Sequence, residues 1–266
     1  MKKNIFITGA SSGIGKTIAE YLSKKGYNVI GTSRKSASKS NHFELIALDV
    51  TDAVSVNTAI NYTISKLHTV DVLINCAGYG LFGALENSSM EEAKKQFETN
   101  FFGAVRMINA FLPHFRRNQN GLIINISSMA GLIGLPFQGH YSASKFALEG
   151  YTEALRLELK PFNIAVCSIC PGDFKTTFTS NRIFTERVSP EYKEKFGQFL
   201  KTYASEEENG ADPILIARLA YRLISTTKNV SVRYVVGKKG QTLGLFMKRI
   251  VGERVFEKVL MMMWKV

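Results

Sequence analysis

Tyr141 and Lys145 are the residues from which chemistry is most directly read. They stand four apart in Tyr141-Ser142-Ala143-Ser144-Lys145, a spacing that puts both on one face of a helix. A phenol ordinarily keeps its proton to about pH 10, and a neighbouring ammonium favours the phenolate. The pair therefore suits a general acid–base that exchanges a proton with an alcohol or carbonyl oxygen near neutral pH. Surface helices also carry this short motif by chance, so its surroundings decide. Ser128 lies just past the strand expected over Gly121–Ser127, at the edge where doubly wound sheets bind ligands, and its hydroxyl can hydrogen-bond a substrate oxygen. Ser127 is the nearest rival, but strand alternation turns it to the other face. Asn100 is a polar residue in the apolar run Phe97-Glu98-Thr99-Asn100-Phe101-Phe102-Gly103, readable also as a helix kink or a satisfied core amide.

A second constellation lies at the start of the chain. Thr8-Gly9-Ala10-Ser11-Ser12-Gly13-Ile14-Gly15 follows a first apolar strand and opens a helix. Small residues let the backbone approach a pyrophosphate, and a helix N-terminus offers free N–H groups at the positive end of its dipole. The spacing is G-x-x-x-G-x-G rather than G-x-G-x-x-G, and a glycine-rich turn can also serve packing alone. The end of the second strand should select the cofactor. A carboxylate there would accept from a ribose 2′-OH, whereas an arginine would hold a 2′-phosphate. The segment reads Thr32-Ser33-Arg34-Lys35, with no carboxylate. NADP(H) is therefore expected over NAD(H), with Arg34 on the phosphate and Ser33 adding a hydroxyl. Asp49-Val50 would meet the adenine, unless Asp49 belongs to the N-cap region of the next helix.

The elements that must hold these residues alternate. Strands are expected at Asn4–Thr8, Asn28–Thr32, Phe43–Leu48, Val70–Asn75, Gly121–Ser127, Asn163–Cys170 and Val232–Val236. Helices are expected near Ile14–Lys25, Ala53–Lys66, Ser89–Arg117, Tyr141–Leu159 and Pro213–Ser225, the last with Asp212 as N-cap before Pro213. Runs such as Leu122-Ile123-Ile124-Asn125-Ile126 fit a sheet covered on both faces. The alternation gives an α/β class: a doubly wound, mainly parallel, seven-stranded sheet with helices on both faces, in three α/β/α layers. One domain over 1–266 is expected.

Two stretches break the pattern. Residues 176–210 are too long for an ordinary connection and read as a substrate loop or a small helical excursion. Their aromatic residues Phe178, Phe184, Tyr192, Phe196, Phe199 and Tyr203 either line an apolar pocket or pack that excursion on the body. Residues 241–266 read as a helical extension, with Val255, Val259, Met262 and Val266 at helical spacing among the basic residues Lys248, Arg249, Arg254, Lys258 and Lys265. Docking on a subunit or on the pocket rim is favoured over peripheral contact with a membrane surface.

Bulk properties exclude several classes. With 266 residues, 45% hydrophobic and 21% charged, the chain is neither disordered nor membrane-spanning in composition. The apolar run after Met1-Lys2-Lys3 is too short for a signal peptide and reads as a buried strand. The net charge of +12 is spread along the chain without an aromatic-basic motif, so nucleic acid is not expected. Three cysteines give no disulfide framework and fit a reducing cytoplasm. Cys167 and Cys170 sit on a strand and face opposite sides, hence two core thiols rather than a redox pair. The four histidines lack metal-ligand spacing, and no metal is expected.

Taken together, Thr8–Gly15, Asn75-Cys76-Ala77-Gly78, Asn100, Ser128, Tyr141, Lys145 and Pro171-Gly172-Asp173-Phe174-Lys175-Thr176 resemble the classical short-chain dehydrogenase/reductase family, to about residue 240. The resemblance implies a Rossmann-like fold and an oxidoreductase of ketones or aldehydes and alcohols. It implies Tyr141 as proton donor and acceptor, with Ser128 orienting the substrate oxygen. Lys145 would hold the nicotinamide ribose and tune Tyr141, and Asn100 would position a relay water. Asn75, Ala77 and Gly78 would join the cofactor site. Pro171, Gly172, Phe174 and Thr176 would meet the carboxamide. Cys76 departs from a common alanine, with little effect expected. A homodimer or homotetramer is implied. The long ending looks like the 17β-hydroxysteroid and retinol dehydrogenase branch, which suggests a steroid-, retinoid- or lipid-like substrate. A 3-oxoacyl-(acyl-carrier-protein) reductase-like enzyme and a non-catalytic dinucleotide sensor are the alternatives.

Overall fold

The computed structural model describes residues 2–34, 42–176, 182–226 and 230–264. In chain order the elements are β1 (Asn4–Ile7), α1 (Gly13–Lys24), β2 (Asn28–Ser33), β3 (Glu44–Ala47), α2 (Ala53–Leu67), β4 (Val72–Asn75), β5 (Leu81–Phe82), α3 (Met90–Phe97) and α4 (Gly103–Asn118). There follow β6 (Gly121–Ile126), α5 (Gly139–Leu159), β7 (Ile164–Pro171), β8 (Ile183–Phe184), α6 (Pro190–Glu208), α7 (Ile214–Thr226), β9 (Arg233–Val236), α8 (Lys239–Val251) and α9 (Glu253–Trp264).

β1, β4 and β6 are buried at every position, as strands covered on both faces must be. The seven-stranded sheet has the order β3-β2-β1-β4-β6-β7-β9, and each neighbouring pair is parallel. Ile5, Ile7, Ile74 and Ile124 face a core closed by Ile18 and Leu22 of α1 and Ala220 and Leu223 of α7. Phe6, Leu73 and Ile123 face the other core, with Ile60 of α2, Phe111 of α4 and Leu155 of α5. Strand order reverses between β1 and β4. Loops leaving their C-terminal ends therefore diverge and leave a crevice there.

The helix expected over Ser89–Arg117 is interrupted. Between α3 and α4 lies a π-helical turn, Glu98–Phe102, with Asn100 at its centre. Such turns admit an extra residue and shift the side chains after it. Within the stretch 176–210, the described residues 182–210 form the helical excursion rather than an open loop. β8 pairs in parallel with β5, and α6 follows. Asp212 accepts from Ile214 N–H at 2.8 Å, as its N-cap reading requires. No helix among the described residues is long and apolar enough to cross a membrane.

Candidate active site

A cleft of about 1460 Å³ opens at the reversal of strand order. At one end its wall is largely backbone. Gly9 sits at φ +67°, and a Cβ there would stand 2.9 Å from the Ala77 backbone. A Cβ on Gly15 would overlap the Gly9 carbonyl, so the turn and the start of α1 close on each other only without side chains. Ser12 takes the N-cap position of α1, yet its side chain makes no cap hydrogen bond. Gly9, Ser11, Ser12, Gly13, Ile14, Gly15, Ser33, Arg34, Asp49, Val50, Ala77, Gly78 and Thr176 all reach this end or its continuation. The bare turn and the guanidinium of Arg34 fit the pyrophosphate and a charged ribose of a dinucleotide. Burial raises the Asp49 carboxyl, but hydrogen bonds from Thr51 and the nearby Arg34 and Arg106 outweigh it and hold it below its usual value. Asp49 also shapes the turn before α2, while Asp52 is the N-cap.

Two expected cofactor residues do not reach the cleft. Thr8 Oγ1 accepts the N–H groups of Cys76 and Ala77 at 3.0 and 3.1 Å, tying β1 to the loop after β4. Asn75 donates to Asn125 Oδ1 at 2.9 Å inside the sheet. Both are buried supports: Thr8 spends its hydroxyl on backbone N–H groups and Asn75 its amide N–H on Asn125, while Asn75 Oδ1 has no partner among the described residues.

At the middle of the cleft, the end of β6 and the start of α5 bring Ser128, Tyr141 and Lys145 together on the lining. Ser128 accepts from Ala130 N–H at 3.1 Å and hydrogen-bonds the Tyr141 phenol. Lys145 Nζ donates to the Ile126 carbonyl at 2.9 Å and stands 5.8 Å from the Tyr141 ring centroid. Burial dominates both groups. It pushes the Tyr141 phenol up to about 12 against a smaller opposing pull from Ser128. It draws the Lys145 ammonium down to about 8, against Cys76, Cys170 and Glu149. The lowering expected of Tyr141 is thus reversed in the polypeptide: desolvating the phenolate costs more than the Ser128 hydrogen bond returns. Tyr141 is a protonated acid at neutral pH.

Asn100 is not on the cleft surface. Its amide donates to the Tyr79 carbonyl at 2.9 Å and accepts the Tyr79 N–H at 3.0 Å, with Ser144 Oγ at 3.4 Å. It fixes the loop that forms the wall, and the π-helical turn is what turns it inward. Sequence reasoning missed Glu149, one helical turn beyond Lys145. Its buried carboxylate takes Ser168 Oγ at 3.0 Å and Cys170 Sγ at 3.4 Å and pairs with Arg233. The i, i+4 spacing from Lys145 was the available signal. Cys170 thus belongs to this network on the α5 side, whereas Cys167 lies in the core of the opposite face, as alternation requires.

The far end is side chain. Pro171, Gly172 and Phe174 lead from β7 toward Met129, Leu135, Tyr203, Leu260, Met263 and Trp264. Of the described aromatic residues in 176–210, Tyr203 alone lines the cleft. Phe196 and Phe199 pack with Phe82 and Phe137 beneath it, and Phe178 lies outside the described residues. Trp264 packs on Phe199 and stacks on Tyr203, centroids 5.3 and 6.1 Å apart. α9 therefore docks through Phe256, Leu260 and Trp264, and of the Val255, Val259, Met262 stripe Val259 alone reaches the cleft lining. Val255 and Met262 face solvent, whereas Trp264 has aromatic partners on α6. Val266 and Lys265 lie outside the described residues.

A model of the short chain dehydrogenase family matches residues 3–187. The chain belongs to that family. This short-chain dehydrogenase is 46% identical over 241 residues to 3-ketodihydrosphingosine reductase of Bacteroides thetaiotaomicron, covering 90% of this chain and 89% of that one. A crystal structure of a short-chain dehydrogenase from Streptomyces avermitilis superposes with TM-score 0.83 at 33% identity, covering 97% of both chains. The structure of ElxO with NADP bound superposes with TM-score 0.73 at 30% identity, covering 89% of this chain and 97% of that one. The short-chain dehydrogenase described here is thus an oxidoreductase of CH–OH groups with a nicotinamide dinucleotide cofactor.

Proposed function

We propose that this chain is an NADP(H)-dependent reductase that turns a ketone carried on a long apolar chain into the secondary alcohol. The observation that carries the reading is the meeting of Ser128, Tyr141 and Lys145 midway between a bare-backbone cradle and an apolar wall. The dinucleotide, when bound, supplies the hydride. Ser128 and Tyr141 hold the carbonyl oxygen by hydrogen bonds. As negative charge develops on that oxygen, Tyr141, kept protonated at neutral pH by its burial, delivers its proton. Lys145, hydrogen-bonded to the Ile126 carbonyl, keeps a positive charge beside the phenol and would hold the cofactor ribose. Arg34 takes the 2′-phosphate. Asn100 acts through the Tyr79 backbone, as a positioning residue.

The apolar wall and the similarity to 3-ketodihydrosphingosine reductase support a long-chain ketone over a sugar or a small aldehyde. Purified protein is expected to consume NADPH with 3-ketodihydrosphingosine or long-chain 3-ketones. Tyr141→Phe is expected to lower kcat/KM by about 10²- to 10⁴-fold, the usual worth of a positioned acid. Unchanged turnover would remove Tyr141 as the proton donor. Tight NADPH binding with no turnover on a carbonyl panel would favour a sensor instead.

A further inference from the structure

The apolar end of the cleft holds one polar corner that the reductase chemistry does not use. Asp173 follows Gly172 at the end of β7, lines the cleft and lies within electrostatic reach of both Tyr141 and Tyr203. Its carboxylate is held in one orientation. Gln241, in the first turn of α8, donates its Nε2–H to Asp173 Oδ2, and Gln241 Oε1 accepts the Asp173 N–H at 3.3 Å. Asp173 Oδ1 accepts no hydrogen bond from the described residues. Lys238, a cation that acts on Asp173, is engaged elsewhere, on the Glu206 carboxylate at 3.2 Å. Glu206 and Glu207 line the same end, so carboxylates outnumber ammonium groups there in a chain of net charge +12.

A second observation is independent of that charge. Gln138, three residues before Tyr141, lines the cleft and is 1% exposed, yet neither Nε2 nor Oε1 of its amide has a partner among the described residues. An amide so buried forgoes hydrogen bonds worth about 1–3 kcal/mol unless something enters the cleft to make them.

We infer that Asp173 is the anchor for a substrate ammonium group placed next to the reacting ketone, with the Gln138 amide as its second polar contact. The inference rests on the reductase reading and names its substrate class: a long-chain ketone with a charged amine on an adjacent carbon. A ketone on Tyr141 sets such an amine down close by, within reach of a carboxylate that already senses the phenol. Burial raises the Asp173 carboxyl, so an arriving cation restores to it what desolvation removes.

The test uses two ketones that differ only in the amine, 2-amino-3-octadecanone and 3-octadecanone, and two binding probes, octadecylamine and octadecanol. Trp264 is the sole tryptophan and lies on the cleft, so its fluorescence reports binding without turnover. Wild type is expected to prefer the amino ketone by about 100-fold in kcat/KM, the loss typical of a buried charge pair. Asp173→Asn should lower that preference at least tenfold, through KM. Equal kcat/KM for the two ketones in wild type overturns the inference, whatever the variant does. So does a preference that survives Asp173→Asn, or an equal loss on both ketones. Failure of the reductase reading looks different. Neither ketone would then be reduced, while octadecylamine would still bind more tightly than octadecanol. Equal binding of the two probes by a protein that reduces neither ketone overturns both.

Discussion

At the nucleotide end of the cleft the wall is backbone: Gly9, Gly13 and Gly15 expose the turn and the first N–H groups of α1, and Arg34 supplies a charge. At the substrate end it is side chain: Tyr203 from α6, Leu245 from α8, and Leu260, Met263 and Trp264 from α9, with Asp173, Glu206 and Glu207 among its polar residues. The first end lies wholly inside the residues that match the family, 3–187, and the helices of the second lie beyond them. A wall of backbone recognises what is common to every dinucleotide. A wall of side chains is free to change, and substrate identity is written there. Tyr141 sits at the boundary and belongs to both.

The difference is most easily broken at Gly15. A methyl group there meets the Gly9 carbonyl, which is backbone and cannot step aside. Gly15→Ala is expected to raise the NADPH dissociation constant more than 100-fold, about 2.7 kcal/mol or more, while octadecylamine still quenches Trp264 normally. Titration of the two ligands on the same preparation checks this. Loss of both would mean that the ends fold as one unit and are not separable.

Arg34→Asp sharpens the comparison within the nucleotide end. It removes the charge for a 2′-phosphate and installs an acceptor for a 2′-OH. The ratio of kcat/KM for NADPH over NADH is expected to fall by about 100-fold, in line with the worth of a charge-assisted pair. An unchanged ratio would remove Arg34 as the selector.

The two ends also differ in how far they could be read from sequence. Gly9, Gly13 and Gly15, and Tyr141 with Lys145, are local spacings, each fixed by one turn or one helix, and all of them line the cleft. Thr8, Asn75 and Asn100 sit in the right motifs, but behind the lining. Motif membership shows that a residue is needed, not whether its side chain points into the cleft or holds the wall. The substrate end depends on contacts between distant elements. The partner of Trp264 is Tyr203, on another helix, and no periodicity within residues 252–266 tells the Phe256–Trp264 stripe from the Val255–Met262 one. The apolar signal is equal on both faces, and α6 alone decides between them. Asp173 lay inside a recognised motif, and its carboxylate gains meaning only beside Gln241 and Tyr141.

Trp264→Ala tests the substrate end by itself. The indole is 4% exposed between Phe199 and Tyr203, and emptying such a site costs roughly 3–5 kcal/mol. Because α9 is the last described element, the loss is expected to appear as undocking of α9 more than as global unfolding. KM for long-chain ketones should rise about tenfold or more, with NADPH affinity unchanged. A fall in NADPH affinity of the same size would show that α9 serves both ends.

The smallest effect lies at the boundary and is a pH dependence. Burial draws Lys145 from 10.5 to about 8. If its positive charge assists Tyr141, kcat/KM on 3-octadecanone, which has no amine to titrate, should decline as pH rises through about 8. The stability contribution runs the other way. With the folded value depressed, the unfolded chain binds the extra proton between about 8 and 10.5, so this group makes the fold more stable as pH climbs through that window. Activity and melting temperature should therefore diverge above pH 8 when followed on the same samples. Lys145→Arg, whose charge persists to higher pH, should move the activity limb upward if it supports turnover at all. A decline in which activity and melting temperature fall together would assign the limb to unfolding, and Tyr141 would then act without help from the charge beside it.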